Sequence, residues 1–311
     1  MSVLSIPSFT NIGYLLHSRS QDPVDADMSE KTVLITGGTG GLGLAAARAL
    51  AGLGARVIVV GRSVDKLEAA QRDIEGETAG YQADLSLMAE IRGLAEHLHS
   101  HEPSIDVLIN NVGVLLPERE ITSEGIEKTL ATDLAGHFLL TNLLIPRLVE
   151  SAPARIINVT SGGMYSERIR PVDMQFESRQ YRGAAAYAHA KRGQVILTEM
   201  WAQRLDGTGV TVHAMHPGWA RTPGVERSLP AFNAIMKPLL RTPAQGADTV
   251  VWLAAADEPA TTSGELWFDR RPVAKHFVER TREASHDRHA LWSALVELTG
   301  SDMPDLTRSE T

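Results

Sequence analysis

The sequence predicts an α/β fold: one doubly wound parallel sheet of about seven strands, with helices on both faces. Three observations carry this expectation. Short apolar, often β-branched runs recur along the chain, amphipathic stretches separate them, and the first run ends in a glycine-rich turn that opens a helix. The runs are Val33–Thr36, Val57–Val60, Gly80–Ala83 (the weakest), Val107–Ile109, Ile156–Val159, Val210–His213 and Leu266–Phe268. Most are continuously apolar rather than alternating, which suits strands covered on both faces. Helices are expected at 42–53, 64–74, 88–100, 124–150, 185–206 and 243–256. Right-handed crossovers between parallel strands then place helices on either side of the sheet.

The bulk properties narrow the function. The chain has 311 residues, 43% of them hydrophobic, which suffices for one large α/β core. A net charge of −8 without any dense basic run argues against a nucleic-acid partner. The chain contains no cysteine, so disulfides and thiol catalysis are excluded. No window approaches the ~18 apolar residues of a membrane span, and no secretory pattern opens the chain. A soluble, cytoplasmic protein is expected. Its divisions are an N-terminal extension at 1–29, a main unit at 30–271 and a C-terminal helical tail at 272–311. In the extension, Phe9, Ile12, Leu15 and Leu16 could form one face of a short helix packed on the body. In the tail, a helix at 286–299 ended by Gly300 would dock through Leu291, Leu295 and Leu298.

After the first strand comes Thr36-Gly37-Gly38-Thr39-Gly40-Gly41-Leu42-Gly43, in which Gly38, Gly40 and Gly43 fit G-x-G-x-x-G. Between a buried strand and an Ala-rich helix, such a turn lets backbone approach a pyrophosphate at the positive end of the helix. A Rossmann-type dinucleotide site follows. NAD-specific sites place an acid near the end of the second strand to hold a ribose hydroxyl. Here Gly61 stands there and Arg62 follows. A guanidinium suits a 2′-phosphate, so NADP(H) is favoured over NAD(H).

Tyr187-Ala188-His189-Ala190-Lys191 puts a phenol and an ammonium on one helix face at i and i+4. A nearby ammonium lowers the pKa of a phenol and makes it a usable acid–base. Ser161 lies just past the strand Ile156–Val159, where ligands sit in doubly wound sheets, and can donate to a substrate oxygen. Val159 stands two residues before it, so the string is not a G-x-S-x-G hydrolase elbow.

Taken together, the chain resembles the short-chain dehydrogenase/reductase family. The resemblance rests on Thr36-Gly37…Gly41-Leu42-Gly43, Asp84-Leu85, Asn110-Asn111-Val112-Gly113, Ser161, Tyr187…Lys191 and Pro217-Gly218…Thr222, in family order over about 30–270. It implies that Ser161, Tyr187 and Lys191 are catalytic. It also implies that Asp84 and Leu85 flank the adenine, that Asn111 and Gly113 line the cofactor cleft beside Pro217 and Gly218, and that Lys191 and Thr222 hold the nicotinamide end. Homo-oligomers are common in the family. The long Ser161–Tyr187 spacing is similar to the retinol-dehydrogenase-type branch. His216-Pro217-Gly218-Trp219-Ala220-Arg221-Thr222-Pro223-Gly224-Val225, Gln245–Thr249 and Phe268-Asp269-Arg270 resemble the dehydrogenase/reductase member 12-like branch.

One position departs from the family pattern. Family members carry an asparagine that supports a proton-relay water, and this chain has Asp133. An ionised aspartate accepts hydrogen bonds but cannot donate them. The alternative to an enzyme, a nucleotide-sensing protein with little turnover, rests on that residue. His97 and His101, at i and i+4, could bind a metal but have no obvious third ligand nearby, and with His99 they read as a solvated helix end, so no metal is expected; His189 should point away from the Tyr–Lys face. A lid is expected at about 222–241. Its Phe232, Ile235, Met236 and Leu239 recur at helical spacing, which suggests a lipophilic carbonyl or alcohol as substrate.

Overall fold

A computed structural model describes residues 6–221, 234 and 236–306. One eight-stranded sheet runs in the order β3-β2-β1-β4-β5-β6-β7-β8. The strands are β1 Thr32–Thr36, β2 Arg56–Gly61, β3 Thr78–Gln82, β4 Val107–Asn110, β5 Ala154–Val159, β6 Val210–Met215, β7 Leu266–Phe268 and β8 Arg271–Pro272. Pairing is parallel through β7. The expected seven strands are present. The eighth, β8, pairs antiparallel with β7 and is too short and polar to read from sequence.

The helices are α1 Asn11–Ser18, α2 Gly41–Gly52, α3 Val64–Asp73, α4 Met88–His101, α5 Gly136–Glu150, α6 Gly183–Arg204, α7 Pro243–Ala255 and α8 Ser285–Thr299. Side chains alternate across the sheet. Leu34, Ile58, Leu108, Ile156 and Val212 face one core with α4, α5, α6 and α8, while Val33, Ile35, Val57, Ile109 and Ile157 face the other with α2, α3 and α7. Each such side chain, fully buried, contributes about 1.5–3 kcal/mol. Among the described residues no helix is long and apolar enough to cross a membrane.

Three regions differ from expectation. The helix expected over 124–150 begins at Lys128 and passes through a π-turn, Ala131–Ala135, before α5. There is no room for a side chain at Gly136, because its Cβ would lie 2.4 Å from the Leu85 carbonyl oxygen. The π-turn carries Asp133 toward the ends of β4 and β5. The N-terminal helix forms, but its apolar residues do not pack inward: Ile12, Leu15 and Leu16 are exposed, and Thr10 and Gly13 are buried instead. In α8, Leu291 and Leu295 are buried as expected, joined by Trp292, whose ring meets Phe138 edge-on at 4.9 Å. Gly300 closes α8 in the left-handed conformation at φ 63°.

Candidate active site

The strand order reverses between β1 and β4, and the candidate residues gather at the C-terminal ends of the strands around that point. Thr36 ends β1. Its hydroxyl accepts from the Asn111 and Val112 amides, at 2.9 and 3.1 Å, and the Asn111 side chain donates to the Thr36 carbonyl at 2.8 Å. Asn111 therefore ties β1 to the loop after β4. Gly37 turns the chain at φ 67°. A Cβ at Gly43 would stand 2.4 Å from the Gly37 carbonyl oxygen, so the turn closes only on glycine. At Gly40, the N-cap of α2, no side chain caps the helix and a Cβ would meet nothing within 4 Å. The uncapped amides and open space fit a pyrophosphate.

At the end of β2, a Cβ at Gly61 would lie 2.8 Å from the Thr39 methyl, which leaves no place for an acidic side chain. Arg62 is 61% exposed and stands 3.6 Å from Asp84, so its guanidinium can still turn toward a ligand. Burial raises the Asp84 carboxyl, but hydrogen bonds from the Ser86 amide and hydroxyl, with Arg62, hold it below its ordinary value. Leu85 is placed differently from the role the resemblance implies, because its side chain is buried in the core and only its backbone is left for the cleft. Leu42 and Pro217 pack toward α7, where a Cβ at Gly246 would meet Leu42 at 2.5 Å and Pro217 at 3.5 Å. Gly218 turns the loop after β6 at φ 70°. Thr222 and most of the expected lid lie outside the described residues. Of its apolar face, Leu239 closes a short 3₁₀ turn, Lys237–Leu239.

The three chemistry candidates come together. Ser161 is extended just past β5, and its hydroxyl accepts from the Gly163 amide at 3.2 Å. The Ser161 side chain stands close enough to Tyr187 to favour its phenolate form. Lys191 lies one turn further along α6, with Nζ 5.5 Å from the centre of the Tyr187 ring. Two side-chain bridges fix these elements: Asn110 donates to Asn158 and to Thr141, and Asn158 donates to Thr198 of α6, all at 2.9 Å. Asn158 and Thr198 were missed from sequence, although an asparagine inside the apolar run Ile156–Val159 was a visible signal.

Lys191 also has partners besides Tyr187. Its ammonium donates to the Val159 carbonyl at 3.1 Å and stands 3.7 Å from the Asp133 carboxylate. Burial raises the Tyr187 phenol above its ordinary value, Asp133 raises it further, and the nearby Ser161 side chain opposes both. Burial likewise lowers Lys191, against the pull of Asp133. Asp133 is fully buried, and burial pushes its carboxyl up to about 7, opposed by Lys191 and by the Val114 amide, which donates at 2.7 Å. Gln194 of α6 donates to the Asp133 carbonyl and to His137 Nδ1, both at 2.7 Å. Gly113 lies over the pair: a Cβ there would be 3.1 Å from both Asp133 Oδ2 and Lys191 Nζ.

The side chains of the histidines singled out in the sequence lie away from these three residues. His189 is buried and accepts from the Arg170 amide at 2.8 Å, which holds the loop before α6. The His97 and His101 rings stack at 4.0 Å. Among the described residues no group of three His, Cys, Asp or Glu could hold a metal.

Comparison with known proteins fits this geometry. Residues 31–231 match the short chain dehydrogenase family. The chain is 37% identical over 301 residues to dehydrogenase/reductase SDR family member 12 of Bos taurus, covering 93% of each. It is 38% identical over 283 residues to retinol dehydrogenase 12 of Bos taurus, covering 89% of this chain and 88% of that one. A solved structure of an uncharacterised protein from Mycobacterium paratuberculosis is similar with a TM-score of 0.74 at 29% identity, covering 90% of this chain and 97% of that one. This chain therefore belongs to the short-chain dehydrogenase/reductase family, as an NAD(P)-dependent oxidoreductase acting on alcohols and carbonyls.

Proposed function

We propose that residues 30–271 reduce a lipophilic carbonyl, or oxidise the matching alcohol, with NADP(H), using Ser161, Tyr187 and Lys191. The observation that carries this is the gathering of Ser161, Tyr187 and Lys191 at the strand ends next to the glycine turn, with Lys191 Nζ 5.5 Å from the centre of the Tyr187 ring. The turn 36–43 would hold the pyrophosphate and Asp84 the adenine side. Arg62 would hold the 2′-phosphate, since Gly61 bars the acid that an NAD ribose needs. When bound, the reduced nicotinamide supplies the hydride. As charge builds on the substrate oxygen, Ser161 donates a hydrogen bond and Tyr187 gives up its proton. A phenol is protonated at neutral pH, as the acid role in reduction requires, and because burial raises it further, release of that proton depends on a cation beside the phenolate. Lys191 faces the phenolate left behind.

The likeness to a retinol dehydrogenase supports an apolar substrate. Loss of NADPH absorbance against a panel of aldehydes and ketones tests the reading. In a series of straight-chain aldehydes, kcat/KM should climb by up to about fourfold per methylene, the equivalent of roughly 0.8 kcal/mol. A flat series would remove the lipophilic pocket. NADPH binding without turnover of any carbonyl would instead favour a nucleotide sensor. The reading also places the protein in the cytoplasm, which cell fractionation checks.

A further inference from the structure

The N-terminal segment lies outside the family match at 31–231, yet it ends beside the chemistry. Residues 6–18 form a 3₁₀ turn, Ile6–Phe9, and then α1, laid over the ends of β6 and β7. Arg241, 1% exposed, clamps the segment: it donates to the Ser8 carbonyl at 2.7 Å and to the Thr10 carbonyl at 3.2 Å. Its other face pairs with Asp269 through contacts of 2.5 and 2.9 Å. Asp269 in turn takes His17 at 2.8 Å, and its carbonyl accepts from Gln21 at 2.7 Å. Asp269 and Arg270 adopt left-handed backbone at φ 50° and 55°, a conformation that costs a non-glycine residue and persists where surroundings impose it.

Phe9 is where this segment meets the Ser161–Gly162 turn. Its carbonyl accepts from the Trp219 amide at 2.8 Å. Its ring stacks on His216, Phe268 and Trp219 with centroids at 5.3, 5.4 and 5.7 Å. Among the described residues neither His216 ring nitrogen has a hydrogen-bond partner, and the ring is held by packing against Phe9, against Phe268 at 4.2 Å and against Tyr165 at 6.0 Å. A Cβ on Gly162, the residue after Ser161, would lie 2.7 Å from Phe9 Cε1. The phenyl ring therefore fills the place that a side chain at 162 would take. Gly218 is equally confined, because a Cβ there would meet the Phe9 carbonyl oxygen at 2.8 Å and Arg241 at 2.7 Å. Phe9 is only partly buried. The two ends of the 222–240 stretch also meet here, where Arg221 donates to the Arg241 carbonyl at 2.9 Å.

We propose that the N-terminal segment is a fixed wall of the substrate site and that Phe9 is its specificity-determining residue, selecting carbonyls that carry an apolar or aromatic group on the Gly162 side. This rests on the reading of Ser161 and Tyr187 given above. A carbonyl oxygen within hydrogen-bond reach of both hydroxyls, about 2.6–3.2 Å, brings its substituents within a few bond lengths of the Ser161–Gly162 turn. A substituent on that side meets an aromatic ring supplied from the other end of the chain. The Arg241–Asp269 pair keeps that ring in place.

The test compares the full-length protein with F9A, F9L and F9Y, using NADPH with propanal and with 2-naphthaldehyde. In F9A, kcat/KM for 2-naphthaldehyde should fall about tenfold more than for propanal, mainly through KM. F9L, which keeps an apolar side chain without the ring, should show the same bias in reduced form, and F9Y should restore the wild-type ratio. A uniform change across both aldehydes would make Phe9 a fold staple and overturn the proposal, as would no change. If F9A does not fold, the F9L and F9Y pair decides by the same ratio. If the wild-type protein reduces no carbonyl, the reading of the site fails separately. Calorimetric binding of 2-naphthaldehyde then tests the wall alone: weaker binding to F9L than to wild type supports it, and equal affinity overturns it.

Discussion

The two ends of the sheet's ligand edge are built in different ways. At β1–β3 the glycine turn, Gly61, Arg62 and Asp84 come from short stretches of sequence, and the charged groups remain partly exposed. At β5–β7 the residues come from distant parts of the chain. Asp133, Gln194 and Lys191 are buried together, and Phe9 arrives from more than a hundred residues away. The first end offers charge and backbone to a ligand that supplies most of the binding geometry. The second holds its own groups against each other before any ligand arrives, and burial rather than a neighbouring cation governs their protonation.

Three substitutions sharpen or break that comparison. The largest effect is expected at Tyr187→Phe, which removes one hydroxyl and little volume. kcat should fall by about a hundred- to ten-thousandfold while NADPH affinity and melting temperature hold. Near wild-type turnover would show that the proton comes from elsewhere.

Arg62→Ala should come next. Loss of a charge-assisted bond to phosphate should weaken NADPH binding by about ten- to a hundredfold, with NADH much less affected. Fluorescence titration of both nucleotides measures this, and equal losses would remove Arg62 from cofactor choice.

The smallest effect is expected at Asp133→Asn. In the wild-type protein, raising the pH through about 7 ionises Asp133, and the carboxylate then makes the Tyr187 phenol harder to deprotonate. The rate of carbonyl reduction should therefore decline through that range by several-fold. The asparagine variant should lose this limb and stay flatter above pH 7. A limb that persists unchanged would place Asp133 off the proton path.

The sequence was most informative where a local string has one physical use. The turn 36–43 and the Tyr187–Lys191 spacing could be read because backbone approach to phosphate and a shared helix face each depend on a few adjacent residues. The parallel sheet with helices on both faces followed from alternation and handedness. What could not be read depends on contacts between distant segments. Asp133 was visible as a departure, but its position against Lys191 comes from a π-turn that no spacing announces. Lys191 was expected beside the Tyr187 phenol, and the sequence did not announce that its ammonium would also stand 3.7 Å from Asp133. Ile12, Leu15 and Leu16 have helical spacing, which shows where a face lies but not what covers it. Phe9 was counted with that face and instead belongs with His216 and Phe268.

The bridge from Asn158 to Thr198 has a consequence for how this fold can change its substrate. Asn158 lies three residues before Ser161 on β5, and Thr198 lies seven residues, about two helical turns, after Lys191 on α6. Apolar packing lets two elements slip by fractions of an ångström at little cost, but a buried side-chain hydrogen bond that slips leaves its donor unpaired. The distance from serine to phenol is thus set in steps, being either held or lost. Variation that widens or narrows the range of carbonyls accepted is left to segments above the sheet, such as the turn at Phe9, whose shape can drift without moving the proton.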